Sequence, residues 1–450
     1  MNEPATTPTN PAYARVGAPL SEIFPPSKRP GGHGHGAMGG GSEVGEPFCE
    51  WAPELNSQRR DVPLNLYLHT PFCHHRCAFC PFFQNTTKPG FSPAYADRLI
   101  RDLEQKAEWL GDSLNTRRIS SVFFGGGTPS DLEAEDLARV IRTLRRLYPI
   151  DSETEITVEG RIWGFTQAKA AAWREAGANR ISIGLQSTNT RIRRSMGRLA
   201  DRGQIRQTLQ NFVDLDFVTI VDLIYGLPGQ DVASVVEDVR FLGEETGIDG
   251  LDLYALKQFP GSPLAKAVEQ GRMKSPADIH LRAAMFTAAS AELDRHGFEH
   301  FTPQHWRRNE RERSIYNQLA KTSADILPFG SSAGGRLGDV SISGFRTLSD
   351  YESAIDGGEV GARCNLGKPK PGQAFTDAIV EHIQRRMLPP LAQWPDHAAA
   401  VSLIANWRDA GLVGAPETDG IPLTQAGCFW FPKLQSLLAM WSAQAASRAA

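Results

Sequence analysis

The segment LYLHTPFCHHRCAFC, residues 66–80, joins an apolar run to a loop that carries three cysteines in eight positions. The spacing of these cysteines, C-x3-C-x2-C, is typical of a metal-binding loop. A structural zinc site needs a fourth thiolate or imidazole, and its C-x2-C pairs usually come in twos. The other cysteines are scattered without partner spacing: Cys49, Cys364 and Cys428. His74 and His75 could supply the missing ligand, so a non-catalytic, zinc-stabilised barrel stays open as one alternative.

The same spacing favours a different metal group. Three thiolates, from Cys73, Cys77 and Cys80, can hold a [4Fe–4S] cluster and leave one iron without a protein ligand. That iron can accept a molecule that chelates through an amine and a carboxylate. We therefore predict these three cysteines to be metal ligands at the catalytic centre.

The composition limits the remaining classes of function. A net charge of −3, with 22% charged residues, gives no general affinity for nucleic acid. No apolar run approaches the roughly 20 residues that span a bilayer, and the N-terminus lacks the apolar core of a secretory signal. We expect a cytoplasmic protein without a membrane span, in which the six cysteines serve metal binding rather than disulfides.

Short apolar segments alternate with amphipathic ones from residue 64 onwards. The predicted strands span residues 64–69, 121–124, 155–159, 180–185, 219–225 and 250–256. The amphipathic helices predicted between them include 93–110, 133–148 and 166–176. Such alternation indicates a parallel sheet with right-handed crossovers. Six βα units are too few to close an eight-stranded barrel, so we predict an α/β fold with a partial (β/α)6 TIM-type barrel.

The chain is expected to have three parts. Residues 1–60 are rich in Pro, Gly and small polar residues, which predicts a flexible N-terminal arm. Residues 61–340 form the partial barrel and its extension. Residues 341–450 are predicted to be a mostly helical, winged-helix-like C-terminal domain, in which helices precede a short hairpin at 411–427. Five Lys/Arg against six Asp/Glu from residue 371 onwards disfavour DNA binding, so we interpret this domain as a lid.

The loop CHHRCAFC resembles the signature of the radical S-adenosylmethionine (SAM) superfamily, including the aromatic Phe79 before the third cysteine. The segment FFGGGTP, residues 123–129, is similar to the part of that superfamily that binds the SAM amine. The resemblance covers residues 60–340 and is closest to the subgroup built around oxygen-independent coproporphyrinogen dehydrogenase. It implies a [4Fe–4S] cluster and two SAM molecules as cofactors.

The same resemblance implies which residues contact SAM. The residues implied to contact the SAM on the cluster are Tyr67, Gly126 and Glu159. The residues implied to contact the second SAM are Phe79, Gly127, Thr128, Gln186, Arg198, Asp222 and Ala255. The physical chemistry agrees, because a carboxylate such as that of Asp222 suits ribose hydroxyls and the guanidinium of Arg198 suits a methionine carboxylate.

One position departs from the coproporphyrinogen enzyme, which has a further cysteine two places after the third, where this chain has Phe82. The segments PFFQN, VEGRIWGF and TPQHWRRNERERSIYNQL resemble instead the anaerobic heme-degrading radical SAM methyltransferases. That resemblance implies heme as substrate, a methylated linear tetrapyrrole as product, released iron, and a flavodoxin or ferredoxin as electron donor. Two alternatives stay open: an oxygen-independent coproporphyrinogen III dehydrogenase, and a heme-binding chaperone without turnover.

As a hypothesis for the mechanism, an adenosyl radical from the first SAM removes hydrogen from the methyl group of the second. The resulting carbon radical adds to heme, and further electrons open the ring. Two SAM molecules in one site suit this sequence of steps, because the methylene radical must form close to its acceptor.

Fewer residues support the predicted binding of heme. His305 stands beside Trp306 and is a candidate iron ligand, so we predict it to be catalytic. Four arginines that could pair with heme propionates follow closely: Arg307, Arg308, Arg311 and Arg313. A solvated, charged helix face explains the same run. His33 and His35 in the arm could capture heme transiently, although disorder alone accounts for this composition.

Overall fold

The computed structural model describes residues 48–322, 324–358, 363–366 and 373–449. Most of the predicted N-terminal arm, with His33 and His35, lies outside these ranges. The last part of the predicted arm is instead a helix, α1 (Phe48–Gln58). Phe48 and Ala52 are one turn apart and buried, so this segment has an apolar face that packs on the barrel. The predicted arm boundary at residue 60 is therefore wrong.

A single large sheet forms the centre of the molecule. The strands of the described residues are β1 Leu64–Thr70, β2 Phe72–Cys73, β3 Asn85–Thr86, β4 Ile119–Gly126, β5 Glu155–Gly160, β6 Arg180–Gln186, β7 Val218–Tyr225, β8 Gly250–Ala255, β9 Glu299–Thr302, β10 His305–Arg307, β11 Asp325–Phe329, β12 Gly334–Leu337, β13 Val340–Ser343, β14 Arg363–Leu366, β15 Met387–Leu388 and β16 Ile421–Pro422. Twelve of them form one sheet in the order β14-β13-β12-β11-β1-β4-β5-β6-β7-β8-β10-β9.

The six predicted strands are confirmed as β1, β4, β5, β6, β7 and β8, which pair in parallel and in chain order. The barrel is partial, as predicted. The sequence analysis missed β11, which adds a seventh parallel strand beside β1. This strand is only five residues long and contains Pro328, which weakens its strand pattern. Two antiparallel strands, β10 and β9, extend the other edge beyond β8.

Helices cover the outside of this sheet. Within the described residues they are α1 Phe48–Gln58, α2 Phe91–Leu110, α3 Ala134–Leu147, α4 Gln167–Ala176, α5 Thr190–Ser195, α6 Arg202–Asp214, α7 Val232–Glu245, α8 Pro263–Glu269, α9 Ile279–Arg295, α10 Ile315–Leu319, α11 Leu348–Asp356, α12 Gln373–Gln384, α13 His397–Asp409 and α14 Gln425–Ala449. The predicted helices 93–110, 133–148 and 166–176 correspond to α2, α3 and α4. Side chains cap the N-termini of several of these helices; Asp201 and Gln204, for example, form a capping box at the start of α6. No helix in these ranges is both long and apolar enough to cross a membrane.

Residues 308–316, which we call the floor segment, close the barrel at the N-terminal ends of its strands. Arg308 donates its backbone N–H to the carbonyl of Asp249, directly before β8, over 2.7 Å. Further along, the side chain of Arg313 lies 3.2 Å from that of Glu153, shortly before β5. The segment therefore crosses from the β8 edge towards β11, at the end of the barrel opposite the cysteine loop.

The C-terminal part differs from its predicted arrangement in two ways. The large sheet continues to β14, so the predicted boundary at residue 340 falls at the first residue of β13. Helices α12 and α13 precede the hairpin, as predicted, and the hairpin is present as an antiparallel contact between Val413 and Leu423; the long helix α14, which follows it, was not predicted. Phe429 of α14 packs against Phe286 of α9, with ring centroids 5.6 Å apart. This contact lies on the outer helical layer of the barrel.

Candidate active site

The cysteine loop follows β1 and begins with a short parallel ladder between β2 and β3. An ion pair from the next two strands fixes it. Asp131 accepts the backbone N–H of His74 over 2.6 Å, and its carboxylate also receives the Arg161 guanidinium at 2.7 Å. The other end of Arg161 donates to the carbonyl of His75. Since Asp131 and Arg161 are nearly buried, the loop between Cys73 and Cys77 has a rigid support.

The second half of the loop is held from the opposite side. Ala78 donates its N–H to the carbonyl of Met196 over 3.2 Å, and its own carbonyl accepts the N–H of Leu264 over 2.9 Å. Gly197 approaches the loop so closely that an added Cβ would lie 3.6 Å from the Cα of Cys77. The segments after β6 and β8 thus position the last two cysteines.

The three cysteines differ in their surroundings. Cys77 is buried, whereas Cys73 and Cys80 are half-buried. The thiol of Cys73 lies 3.3 Å from the Thr128 hydroxyl, which stands on the glycine loop after β4. Burial raises the pKa of the Cys73 thiol and of the Cys80 thiol.

The arrangement argues against a single zinc ion. No group of three His, Cys, Asp or Glu side chains in the described ranges converges on a point suited to one metal ion. A four-iron cluster instead takes each thiolate on a separate iron, so its cysteines stand further apart than zinc ligands do. Three cysteines with different burial on one fixed loop fit the cluster.

Two glycines after β4 are required by the cysteine loop itself. Gly126 has φ +109°, and an added Cβ would come within 2.7 Å of the His69 ring. Gly127 donates its N–H to the carbonyl of Thr70, and an added Cβ would lie 2.4 Å from the carbonyl oxygen of Phe72. The glycines therefore bring the end of β4 against the end of β1, where a residue with a side chain would clash.

Titratable side chains gather inside the barrel near these loops. Burial raises the pKa of Glu159, at the end of β5, to about 7, although a backbone N–H of Gly126 stabilises its ionised form. Asp222 stands opposite Asp252 across the β7–β8 pair. Burial, the charge of Asp252 and that of Glu159 raise the pKa of Asp222 well above its usual range. The raised pKa favours the protonated form of the Asp222 carboxyl.

Two buried polar side chains, Gln186 and Arg198, have atoms without hydrogen-bond partners, which indicates that a ligand binds beside them. Gln186 ends β6 at φ +72°, beside a bulge in the β6–β7 register. Its amide nitrogen and a guanidinium nitrogen of Arg198 converge over Gly184, at 2.9 and 3.4 Å from the position of an added Cβ. Gln186 Oε1 and Arg198 Nε are buried without a hydrogen-bond partner. Buried polar atoms are normally paired, and strained backbone conformations are concentrated at functional sites. The Arg198 donor therefore fits an amino-acid carboxylate, and the Gln186 acceptor fits an amine or a hydroxyl.

Replacing Arg198 by Gln should weaken SAM binding by about 10- to 100-fold, because a charge-assisted hydrogen bond contributes roughly 1.5–3 kcal/mol. The measurement is a SAM titration of the anaerobic protein by calorimetry. Arg202, exposed at the start of α6 and paired with Glu237, provides the matched control as Arg202→Gln. Equal SAM affinity in the Arg198→Gln and Arg202→Gln proteins would contradict the assignment.

The remaining predicted residues lie around the same mouth. Thr128 and Gly127 belong to the glycine loop described above. Phe79 packs with Leu227 and Leu256, which follow β7 and β8. Ala255 is the last residue of β8, and Tyr67 on β1 places its hydroxyl 3.0 Å from His69 Nδ1. The structure thus gathers the predicted SAM residues at one end of the barrel.

His305 does not lie at this end. It is 3% exposed; Nδ1 is 3.1 Å from Asp252, and Nε2 is 3.3 Å from Glu312 of the floor segment. Burial alone would lower the pKa of His305, but the two carboxylates outweigh it and raise the pKa to about 9. Both ring nitrogens of His305 thus face carboxylates inside the protein, which gives no support to an iron ligand, and the catalytic role of His305 stays a prediction.

The arginines after His305 also bind protein groups. Arg307 pairs with Glu299, Arg308 with a carbonyl of α7, Arg311 with Asp216 and Arg313 with Glu153. Arg308, Arg311 and Arg313 belong to the floor segment, at the N-terminal ends of the strands. The hypothesis that they bind heme propionates is therefore wrong. The sequence could not reveal this, because the partners are up to 160 residues away.

The charge of His305 gives a pH-dependent contribution to stability. A His whose pKa rises on folding stabilises the folded state fully at pH values below its pKa in the unfolded chain, near 6.5. For His305 this contribution decreases as the pH rises and is lost above its folded-state pKa of about 9. The difference in urea midpoint between the native protein and His305→Gln should therefore be larger at pH 6 than at pH 9.5. A constant difference would mean that His305 is neutral in the folded protein.

Three positions missed by the sequence analysis now belong to the site: His69, Asp131 and Arg161. His69 could have been found, since it alternates with Tyr67 on β1 and so shares its face. Asp131 and Arg161 carry no sequence signal, because their pairing depends on how three separate strands end.

Comparison with known proteins agrees with this geometry. Residues 67–242 match the model of the radical SAM superfamily. Anaerobilin synthase of Escherichia coli O157:H7 is 36% identical over 86% of this chain and 86% of its own. This chain belongs to the radical SAM superfamily. Like other members, it uses a [4Fe–4S] cluster and SAM. The chain is also 31% identical to the heme chaperone HemW of Mycobacterium tuberculosis (strain CDC 1551 / Oshkosh), over 54% of this chain and 62% of that one.

Structural similarity supports the same fold. The coproporphyrinogen III oxidase of Escherichia coli, described as a radical SAM enzyme, superposes with a TM-score of 0.73 at 22% identity. The superposition covers 87% of this chain and 93% of that one. This match covers a larger share of the chain than the residues of the superfamily model do.

Proposed function

We propose that this protein is an anaerobic heme-degrading radical SAM methyltransferase, which opens the macrocycle to a methylated linear tetrapyrrole and releases iron. The observation that carries the proposal is the similarity to anaerobilin synthase, which spans 86% of both chains. The site is compatible with it, because a fixed three-cysteine loop and a partnerless Gln186–Arg198 pair face one barrel mouth.

In this proposal Cys73, Cys77 and Cys80 hold the cluster, and Tyr67, Gly126 and Glu159 contact the SAM that binds it. Bound together, cluster and SAM supply a 5′-deoxyadenosyl radical. The chain positions the reactants and keeps water away from them. The nearly buried Asp131–Arg161 pair limits movement of the loop.

A second SAM molecule would be bound by Gln186, Arg198 and Asp222. Arg198 would pair with its carboxylate, and Asp222 would bind ribose hydroxyls, for which its raised pKa keeps a proton available for donation. The other contacts are those implied by the family resemblance: Phe79, Gly127, Thr128 and Ala255.

Phe82 distinguishes this proposal from coproporphyrinogen oxidation. Its side chain is 59% exposed, and its backbone N–H donates to Cys80 Sγ over 3.4 Å. No thiol is available at the position where the coproporphyrinogen enzyme carries a further cysteine. The heme-chaperone alternative is supported by a match to about half of this chain, whereas the anaerobilin synthase match covers most of it.

The test uses the protein reconstituted with iron and sulfide under nitrogen and supplied with heme, SAM and dithionite. The proposal predicts SAM-dependent loss of the heme absorbance. Heme that binds and persists would favour the chaperone, and carbon dioxide released from coproporphyrinogen would favour the dehydrogenase. Gln58→Ala, on the exposed side of α1, provides a control for general effects of substitution.

We further propose that the enzyme works in the cytoplasm and receives electrons from a flavodoxin or ferredoxin. The C-terminal domain would act as a cover during turnover, which remains a prediction. Its described contacts, such as Phe429 on Phe286, lie at the side of the barrel. A covering role would therefore require the domain to reach the mouth by another part of its surface.

A further inference from the structure

An exposed apolar surface borders the cysteine loop. Five large apolar side chains are exposed among the described residues, and three of them flank this loop: Phe82, Trp163 and Leu199, at 59%, 37% and 46%. Phe82 lies two residues after Cys80, and Trp163 stacks on His74 with ring centroids 4.7 Å apart. Exposed apolar groups concentrated at one place mark an interaction site.

The other side of this surface is formed by the segment after β6. Trp163 and Leu199 line one depression together with His75. Met196 and Gly197, just before Leu199, pack directly on the cysteine loop through the Ala78 N–H and the Cys77 Cα. Phe82, Trp163 and Leu199 therefore lie around the cysteine loop, and the depression between Trp163 and Leu199 reaches Arg198.

Uncompensated positive charge accompanies the apolar groups. Arg76 on the loop and Arg191 and Arg194 on α5 are exposed. Within the described ranges, none of these three guanidinium groups has a carboxylate within ion-pair distance, although most other exposed arginines have one. The nearby carboxylate of Asp131 is already neutralised by Arg161. The surface is thus basic as well as apolar.

We propose that this surface, the donor face, docks an acidic one-electron carrier protein and so delivers electrons directly to the cysteine loop. This inference rests on the proposed function in one respect only, because that function requires the cluster to be reduced. One electron leaves the reduced carrier and enters the cluster; no atoms are transferred. Cys73 and Cys80 are only half-buried, so a cluster held by them would lie close to the protein surface.

The composition of the donor face suits a transient redox encounter. Complexes of this kind bury little area, so a few apolar contacts with a charged rim suffice. Trp and Arg are the residues that most often dominate interface energies. Basic rim charges steer an acidic partner and mainly raise its association rate, which makes the encounter sensitive to salt.

The test compares the reconstituted native protein with Arg191→Glu/Arg194→Glu, and uses a flavodoxin in its hydroquinone form as the probe. Two quantities are measured under nitrogen: flavodoxin affinity by titration, and the rate of cluster reduction by stopped-flow absorbance. We expect both to fall at least about tenfold at low salt, and the difference to disappear at high salt. Arg191→Gln/Arg194→Gln should give an intermediate effect.

Arg118→Glu is the matched control, because Arg118 is a similarly exposed arginine at the opposite end of the barrel, before β4. Dithionite-driven SAM cleavage should be unchanged in all these proteins, since it needs no docking. Unchanged flavodoxin affinity and reduction rate in Arg191→Glu/Arg194→Glu would overturn the proposal. The proposal would also be overturned if the native protein were a dimer, and if Arg191→Glu/Arg194→Glu dissociated that dimer without changing the rate of reduction by flavodoxin.

The design separates this inference from the proposed function. If native protein with dithionite fails to degrade heme, the proposed function fails, while flavodoxin affinity and cluster reduction still test the donor face. If heme is degraded with dithionite but charge reversal has no effect on flavodoxin, only the donor face is wrong.

Discussion

Replacing Cys77 by Ser should abolish SAM cleavage and leave a folded protein that cannot hold a full cluster. Changes to groups that merely support a metal ligand cost about 10- to 100-fold in affinity or activity, so loss of a buried thiolate should cost more than about 1000-fold. Cys77 is the buried member of the three cysteines, held between Met196 and Leu264 through the neighbouring Ala78. Iron, acid-labile sulfide and 5′-deoxyadenosine formation measure the effect.

Cys49→Ser is the matched control, since Cys49 is exposed on α1 and far from the loop in sequence. It should keep iron, sulfide and activity at native levels. Circular dichroism of both proteins separates cluster loss from unfolding. Retention of four irons and full SAM cleavage by Cys77→Ser would contradict the assignment of the loop.

Replacing Glu312 by Ala should destabilise the fold by about 3–5 kcal/mol, although Glu312 lies outside the site. Its carboxylate accepts two hydrogen bonds from Arg180, at 2.8 and 2.9 Å, and also faces His305. Arg180 and Glu312 side chains are 2% and 0% exposed. Removing Glu312 leaves the buried Arg180 charge with only the more distant Glu155 carboxylate, at 3.9 Å, and such a loss is far more costly than losing a surface pair.

The control is Glu153→Ala, which removes the exposed ion pair with Arg313 at the next position of the floor segment. Surface pairs contribute at most about 1 kcal/mol, so this substitution should have a small effect. Urea unfolding of both variants gives the comparison. Similar midpoints for Glu312→Ala and Glu153→Ala would show that the buried network is not a major source of stability.

The parallel strands were predictable because each has a long run of apolar residues bounded by a turn. In β7, for example, VTIVDLIY admits one polar residue that faces the barrel interior, Asp222. The ends of the six predicted strands then had to meet at one mouth, which is why the cysteines, glycines and polar strand-end residues could be grouped without coordinates. The five-residue β11 lacked such a run, and its place beside β1 depends on the floor segment crossing the barrel.

The heme residues were not predictable by the same reasoning. His305 and its arginines look like ligands when read along the chain, because the sequence does not show which carboxylates pair with them. Of the nearby carboxylates, Glu299 pairs with Arg307 and Glu312 faces His305. In the fold, carboxylates from distant segments satisfy them, such as Asp216, Asp252 and Glu153. Local sequence reports the charge of a segment, but the end of the barrel that it occupies is set by tertiary structure.

The most direct measurement is mass spectrometry of the product formed from heme and methyl-deuterated SAM under nitrogen. Our proposal predicts an iron-free, ring-opened tetrapyrrole that carries deuterium from the SAM methyl group. Heme recovered intact, or ring-opened product without deuterium, would contradict it.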